Sequence, residues 1–228
     1  MAKAKGKTED KIVAVEEALS RTERLIEANQ KIIMIVIASI IVLVLGYLAY
    51  NKFYQAPREE RAKSEIFNAE SFFEADSLDL ALNGDGNHPG FLEIIDNYSS
   101  TTSGNLAKYY AGLCYLKKGE FETALSYLKK FDTDNVMVGS MATGAMGDAS
   151  LELGQTEKAV SCYMDAAQDF PNEFTSPMFL QKAGMAWELL GNYKKAVEVY
   201  KIIKESYPKS YEGRDVEKFI ARAEGLLQ

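Results

Sequence analysis

Histidine is nearly missing from this chain: His88 stands alone among 228 residues, inside a Gly-rich stretch. Active sites and zinc centres built on several imidazoles are therefore excluded. Cysteine is almost as scarce. Cys114 and Cys162 lie 48 positions apart, in neither a CxxC pair nor a metal-ligand spacing, and both read as small buried residues. A disulfide between them is chemically permitted outside the cytoplasm, and nothing in the sequence brings them together. Positive charge is also in deficit, with 26 Lys and Arg against 33 Asp and Glu. The net charge of -7 comes without a concentrated basic face, which argues against nucleic acid as a partner. No GxSxG elbow, phosphate-binding Gly loop or HExxH helix occurs, so no catalytic residue, metal, cofactor or small-molecule substrate is expected. Carboxylate pairs such as Glu59 and Glu60 read as solvated helix faces, and the chain reads as no enzyme.

What the sequence does have is apolar content, 47% hydrophobic residues, ample for a core. One stretch of it, residues 32–50 (IIMIVIASIIVLVLGYLAY), holds no charge and has the length of a membrane span. Lys31 and Lys52 bracket it, and Tyr47, Tyr50, Phe53 and Tyr54 gather at its C-terminal end as an interfacial belt. The run is longer than a signal-peptide core and about 31 residues precede it, so the span is expected to remain uncleaved. Seven basic residues precede it (Lys3, Lys5, Lys7, Lys11, Arg21, Arg24, Lys31) and four follow (Lys52, Arg58, Arg61, Lys63), which places the N-terminus in the cytoplasm. Residues 1–31 carry seven basic and six acidic side chains, net +1, leaving -7 - 1 = -8 for the remainder, as suits an exported domain.

Ahead of the span, residues 8–30 show an amphipathic pattern through Ile12, Val15, Leu19, Thr22 and Ile26. After it, Pro57 suggests a break and residues 58–82 resume helical periodicity. Residues 83–90, NGDGNHPG, read as a loop. Asn83, Asp85 and Asn87 imitate the start of a calcium loop, but His88 and Ile94 stand where that loop needs Gly and a bidentate Glu, so no calcium site is expected. Residues 90–98 form a further short helix.

An internal repeat dominates the rest. Gly119, Gly154 and Gly191 each open a turn after a helical run, at spacings of 35 and 37 residues, close to the tetratricopeptide period of about 34. Seven residues before each stands Gly112, Gly147 or Gly184, and five after it Ala124, Ala159 or Ala196. Small residues are required where two antiparallel helices approach most closely. Tyr115, Trp187, Leu128, Tyr163 and Tyr200 fill the larger contact places, and Pro171 and Pro208 close two of the units. The expected fold is all-α: a single N-terminal transmembrane helix followed by a tetratricopeptide helical-hairpin solenoid. Its expected divisions are a cytoplasmic amphipathic segment (1–31), the span (32–50), a linker helix with a degenerate first repeat (51–104), three repeat units (105–209) and a capping helix (210–228).

In such a stack the first helices line the concave side. The groove-facing places are Leu106, Tyr109, Leu113 and Leu116, then Met141, Asp148 and Leu151, then Met178, Gln181, Met185 and Glu188. This set is mostly apolar, and its methionines suit varied apolar segments of partner proteins. Domains that grip the acidic tails of chaperones place Lys and Asn in the groove. Here Tyr109, Leu113, Ala145 and Met178 occupy those places and only Lys182 remains, so no carboxylate clamp is expected.

The order of parts resembles the YfgM-like family of bacterial inner-membrane proteins. The likeness rests on ALSRTERLIEANQKI leading into the span, on the long helix after it, and on GDASLELGQTEKAV in the second clear repeat. The resemblance implies an inner-membrane protein with a periplasmic repeat domain. It implies an accessory role at the SecYEG translocon, with translocon subunits, a PpiD-like periplasmic chaperone and emerging client chains as partners. A scaffold for outer-membrane assembly, division or secretion machinery is the alternative, and a regulatory subunit of an enzyme is a third.

Overall fold

The structure is a computed structural model that describes residues 29–227, and no strand occurs among them. The amphipathic pattern of residues 8–30 lies outside the described residues except for its last two positions. Two compact units divide the chain, Met1–Ala56 and Pro57–Gln228.

In the first unit, helix α1 (residues 29–50) carries the apolar run. Its most apolar stretch reaches a mean hydropathy of 3.0 with nothing buried, so it is long and apolar enough to cross a membrane. One π-helical turn, Asn51–Gln55, follows, in which the Ala56 N–H donates to the carbonyl of Asn51, five residues back. The break suggested at Pro57 is not there: helix α2 (Ala56–Glu74) runs through it. A proline lacks an N–H and crowds the carbonyl four residues behind it, here within the π turn. The wider turn supplies the room that an unbroken α-helix would deny.

Residues 58–82 do not make one helix. The chain turns after α2 at Asp76, which adopts φ of 55°, and continues as α3 (Leu78–Asn83). A short polar side chain tolerates that left-handed conformation best after glycine. The loop beyond leads to α4 (Phe91–Tyr98).

Three helical hairpins follow: α5 (Thr102–Lys117) with α6 (Phe121–Leu128), α7 (Val136–Glu152) with α8 (Thr156–Gln168), and α9 (Thr175–Leu189) with α10 (Tyr193–Ser206). Each first helix ends in the same way. Gly119, Gly154 and Gly191 take φ of 78°, 71° and 70°. The next residue's N–H reaches back to the carbonyl of Tyr115, Ser150 or Trp187 at 2.9 Å each. This paired capping of the last carbonyls requires a left-handed residue, hence glycine. Side-chain oxygens of Thr101, Asn135 and Asn192 cap the starts of α5, α7 and α10.

Within each hairpin the tightest approach is at the upstream glycine. A β-carbon on Gly112 would lie 2.6 Å from Leu128, on Gly147 2.5 Å from the Tyr163 ring, and on Gly184 2.2 Å from the Tyr200 ring. Leu128, Tyr163 and Tyr200 are thus one structural position filled three times, and Ala124, Ala159 and Ala196 beside them are fully buried. Helix α7 extends the device: Gly139 faces the Phe170 ring and Gly144 the Phe179 ring. Small residues on nearly all its sides let it touch α5, α6, α8 and α9. Two apolar clusters flank it. One joins α2 to α5 around Ile66, Leu82, Phe91 and Ala111; the other runs through α8, α9, α10 and α11 (Tyr211–Gly225) around Phe179, Tyr200 and Val216. Helix α11 covers the last hairpin with Val216, Ile220 and Ala223.

Glu59 is not the solvated residue its charged surroundings suggested. Its carboxylate accepts the Thr102 N–H at 2.6 Å, the Ser103 N–H at 3.2 Å and the Ser103 hydroxyl at 2.8 Å, so α2 supplies the anion at the N-terminus of α5. Glu60 beside it is exposed. Replacing Glu59 with Ala should lower unfolding free energy by about 1–2 kcal/mol in urea titration, whereas Glu60→Ala should leave it nearly unchanged; equal effects would contradict the capping role.

Candidate protein-binding surface

The first helices are successive neighbours: α5 touches α7, α7 touches α9, and α9 touches α11. Leu106, Tyr109, Leu113 and Leu116 follow one another at three- and four-residue steps along α5, all half-buried. Leu106 leans on the α2–α5 cluster. The Tyr109 ring lies 5.4 Å from both the Tyr110 and Phe131 rings. On α7 and α9, Met141 and Met185 are 40% and 46% exposed, while Leu151 and Met178 pack against the second cluster and Gln181 is half-buried. Three exposed apolar side chains belong beside these and were missed: Val136 and Met137 in the first turn of α7, and Leu189 at the end of α9. Their signal was present, since all three fall on first helices of the repeat.

These residues do not converge on one cavity. Leu116 and Asp148 share a cleft of about 450 Å³ with Phe121 and Glu152. Met185 and Glu188 share another of about 400 Å³ with Leu189, Tyr193, Arg222 and Leu226. Leu106 borders a third of about 670 Å³ among the hydroxyls of residues 99–102 and the Phe131 ring.

Asp148 and Glu188 line these clefts, and both carboxylates are also committed within the fold. The Asp148 carboxylate accepts from the Tyr163 hydroxyl at 2.7 Å and from Lys182 Nζ at 2.7 and 2.9 Å. Glu188 accepts from the Tyr200 hydroxyl at 2.9 Å and from Arg222 at 3.0 Å. In both cases the phenol comes from the partner helix of the same hairpin and the cation from the next first helix, 34 residues on. The spacing is one repeat period, so opposite charges separated by a repeat were the legible sign. Lys182, the one cation left from a carboxylate clamp, is thereby neutralised. The charges of Asp148, Lys182, Glu188 and Arg222 are thus paired between the repeats, while Glu152 in the cleft of Leu116 stays exposed.

Burial, reinforced by the adjacent carboxylates, holds the Tyr163 and Tyr200 phenols far above their usual pKa. Burial also pushes the Cys114 thiol up to about 12, so it is inert as a nucleophile. Cys114 and Cys162 are both free thiols. In the loop before α4, Asp85 accepts from the Asn87 and His88 N–H groups at 2.8 and 2.7 Å, which fix a turn and hold its carboxyl down at about 2. The carboxylate that mimicked a calcium ligand thus closes its own loop.

Models of the tetratricopeptide repeat match residues 106–133, 180–210 and 144–168. The hairpins are tetratricopeptide repeats. Each match falls on one helical pair, α5/α6, α9/α10 and α7/α8 respectively. Nothing among these matches indicates an enzymatic family. No curated protein matches the chain. Among solved structures, the TPR-like repeats of a protein named as a kinesin light chain from Podosopora anserina superpose with a TM-score of 0.54. That likeness covers 74% of this chain and 87% of the other at 14% identity, and it is a likeness of fold. Tetratricopeptide repeats are protein-interaction scaffolds, and this chain carries three.

The two buried phenols set an alkaline limit. Their folded pKa lies above the unfolded value of about 10, so the stability they contribute is complete below pH 10 and is lost as pH rises beyond it. The urea midpoint should therefore fall steeply above pH 10. The double variant Tyr163→Phe, Tyr200→Phe should start lower and show a shallower alkaline fall; an unchanged slope would contradict the assignment.

Proposed function

We propose that this chain is an inner-membrane-anchored scaffold that receives protein partners on the first helices of its repeats. The N-terminus is cytoplasmic and the repeat domain periplasmic. The observation that carries the reading is the pairing of two features: an apolar helix with nothing buried along its length, and repeats whose first helices leave Met141, Met185 and Leu189 exposed while the neighbouring charges neutralise each other. A mostly apolar, methionine-bearing surface favours apolar segments of varied sequence, as emerging or unfolded chains present. The excess of Lys and Arg before the apolar run supports the orientation.

The resemblance to YfgM-like proteins supports the SecYEG translocon as the place and a PpiD-like chaperone as the neighbour. Affinity purification of the full chain from mildly solubilised membranes should recover SecY with a PpiD-like protein. Consistent recovery of outer-membrane assembly, division or secretion proteins in their place would overturn that assignment while leaving the scaffold itself intact. In spheroplasts, added protease should degrade the repeat domain before lysis; protection until lysis would reverse the orientation. Met141→Glu with Met185→Glu should reduce crosslinking to apolar client chains several-fold without loss of helicity, since both side chains are already exposed; undiminished crosslinking would move the binding surface elsewhere.

A further inference from the structure

Two junctions between a second helix and the next first helix carry an aromatic at the same place, just before α9 and as the first residue of α11. Phe174 stands three residues after Pro171 and Tyr211 three after Pro208, a separation of 211 - 174 = 37, one repeat. They are 77% and 78% exposed, the most exposed apolar side chains of the second unit. Both line one cleft of about 390 Å³, and the cleft's other walls are Glu173, Lys209, Ser210 and Glu212. Among the described residues neither Glu173 nor Glu212 has a hydrogen-bond or ion-pair partner for its carboxylate, and Lys209 has none for its ammonium. This contrasts with Asp148 and Glu188, which are fully committed inside the stack.

We infer that this cleft is a docking site for arginine- or lysine-bearing polypeptide segments. Two open aromatic faces attract a cation through their ring quadrupoles, most of all a guanidinium. Two unpaired carboxylates beside them face the single Lys209, and the -8 carried by residues 32–228 steers cations towards them. The same charges repel an anionic membrane surface, which separates this site from an interfacial aromatic anchor. The site lies at the junctions that open α9 and α11 and does not depend on the translocon reading.

The test uses the full chain in nanodiscs of zwitterionic lipid, with fluorescent nona-arginine as the probe and nona-glutamate as control. Nona-arginine should bind and nona-glutamate should not. Phe174→Ala with Tyr211→Ala should weaken binding about tenfold, Glu173→Gln with Glu212→Gln should weaken it several-fold, and Lys209→Gln should tighten it. Melting temperatures should stay constant in the aromatic and Lys209 variants because those side chains are exposed. The inference is overturned if nona-arginine fails to bind, or if the aromatic pair leaves its affinity unchanged. It is equally overturned if the aromatic pair instead governs flotation with phosphatidylglycerol vesicles.

Discussion

The close approach of the two helices in each hairpin is the constraint on which the rest of the domain depends. At Gly112, Gly147 and Gly184 the first helix has no side chain, and Leu128, Tyr163 or Tyr200 from the second helix occupies that space. Once the ring of Tyr163 or Tyr200 fills the space at the glycine, its hydroxyl is carried to the carboxylate of Asp148 or Glu188 on the first helix. The carboxylate in turn holds Lys182 or Arg222 of the following first helix. A packing decision inside one repeat thus becomes a polar link to the next one, and the links determine which groups remain for partners. Surface ion pairs alone contribute little, but a pair anchored by a buried phenol has a fixed geometry.

The consequence for function is a division of labour along the stack. Asp148, Lys182, Glu188 and Arg222 are committed between repeats, and Met137, Met141, Met185 and Leu189 are exposed apolar side chains on the same helices. The junctions that open α9 and α11 keep their charges, with Glu173 and Glu212 unpaired and the two aromatics open to solvent. Tetratricopeptide repeats bind proteins, and in this chain they follow an apolar helix able to cross a membrane. In the proposed reading, an anchored scaffold works by raising the local concentration of what it holds, so modest affinity per site is enough.

Much of the fold was legible because the repeat fixes residue size at particular places. The turn glycines, the small residues facing large ones and the prolines after Gln168 and Ser206 all act locally, within about one hairpin, and the 34-residue period multiplies the signal. What escaped was long-range or compensated. Glu59 reaches a helix more than forty residues away, and nothing near it in sequence distinguishes it from exposed Glu60. Pro57 looked like a break because the π turn that accommodates it has no sequence signature. Asp76 ends α2 without glycine or proline to announce it. For Asp148 and Glu188, periodicity gives the face of the helix but not the partner opposite it.

The dependence on glycine-to-ring packing is tested most directly by a double-mutant cycle at the last hairpin. Gly184→Ala alone should cost about 1–3 kcal/mol, since its β-carbon would meet the Tyr200 ring at 2.2 Å. In a Tyr200→Val background, where the opposing ring atoms are gone, the same substitution should cost nearly nothing or stabilise slightly through alanine's higher helix propensity. Urea titration of the four proteins gives the coupling. A large favourable coupling supports the account, and additive costs would contradict it.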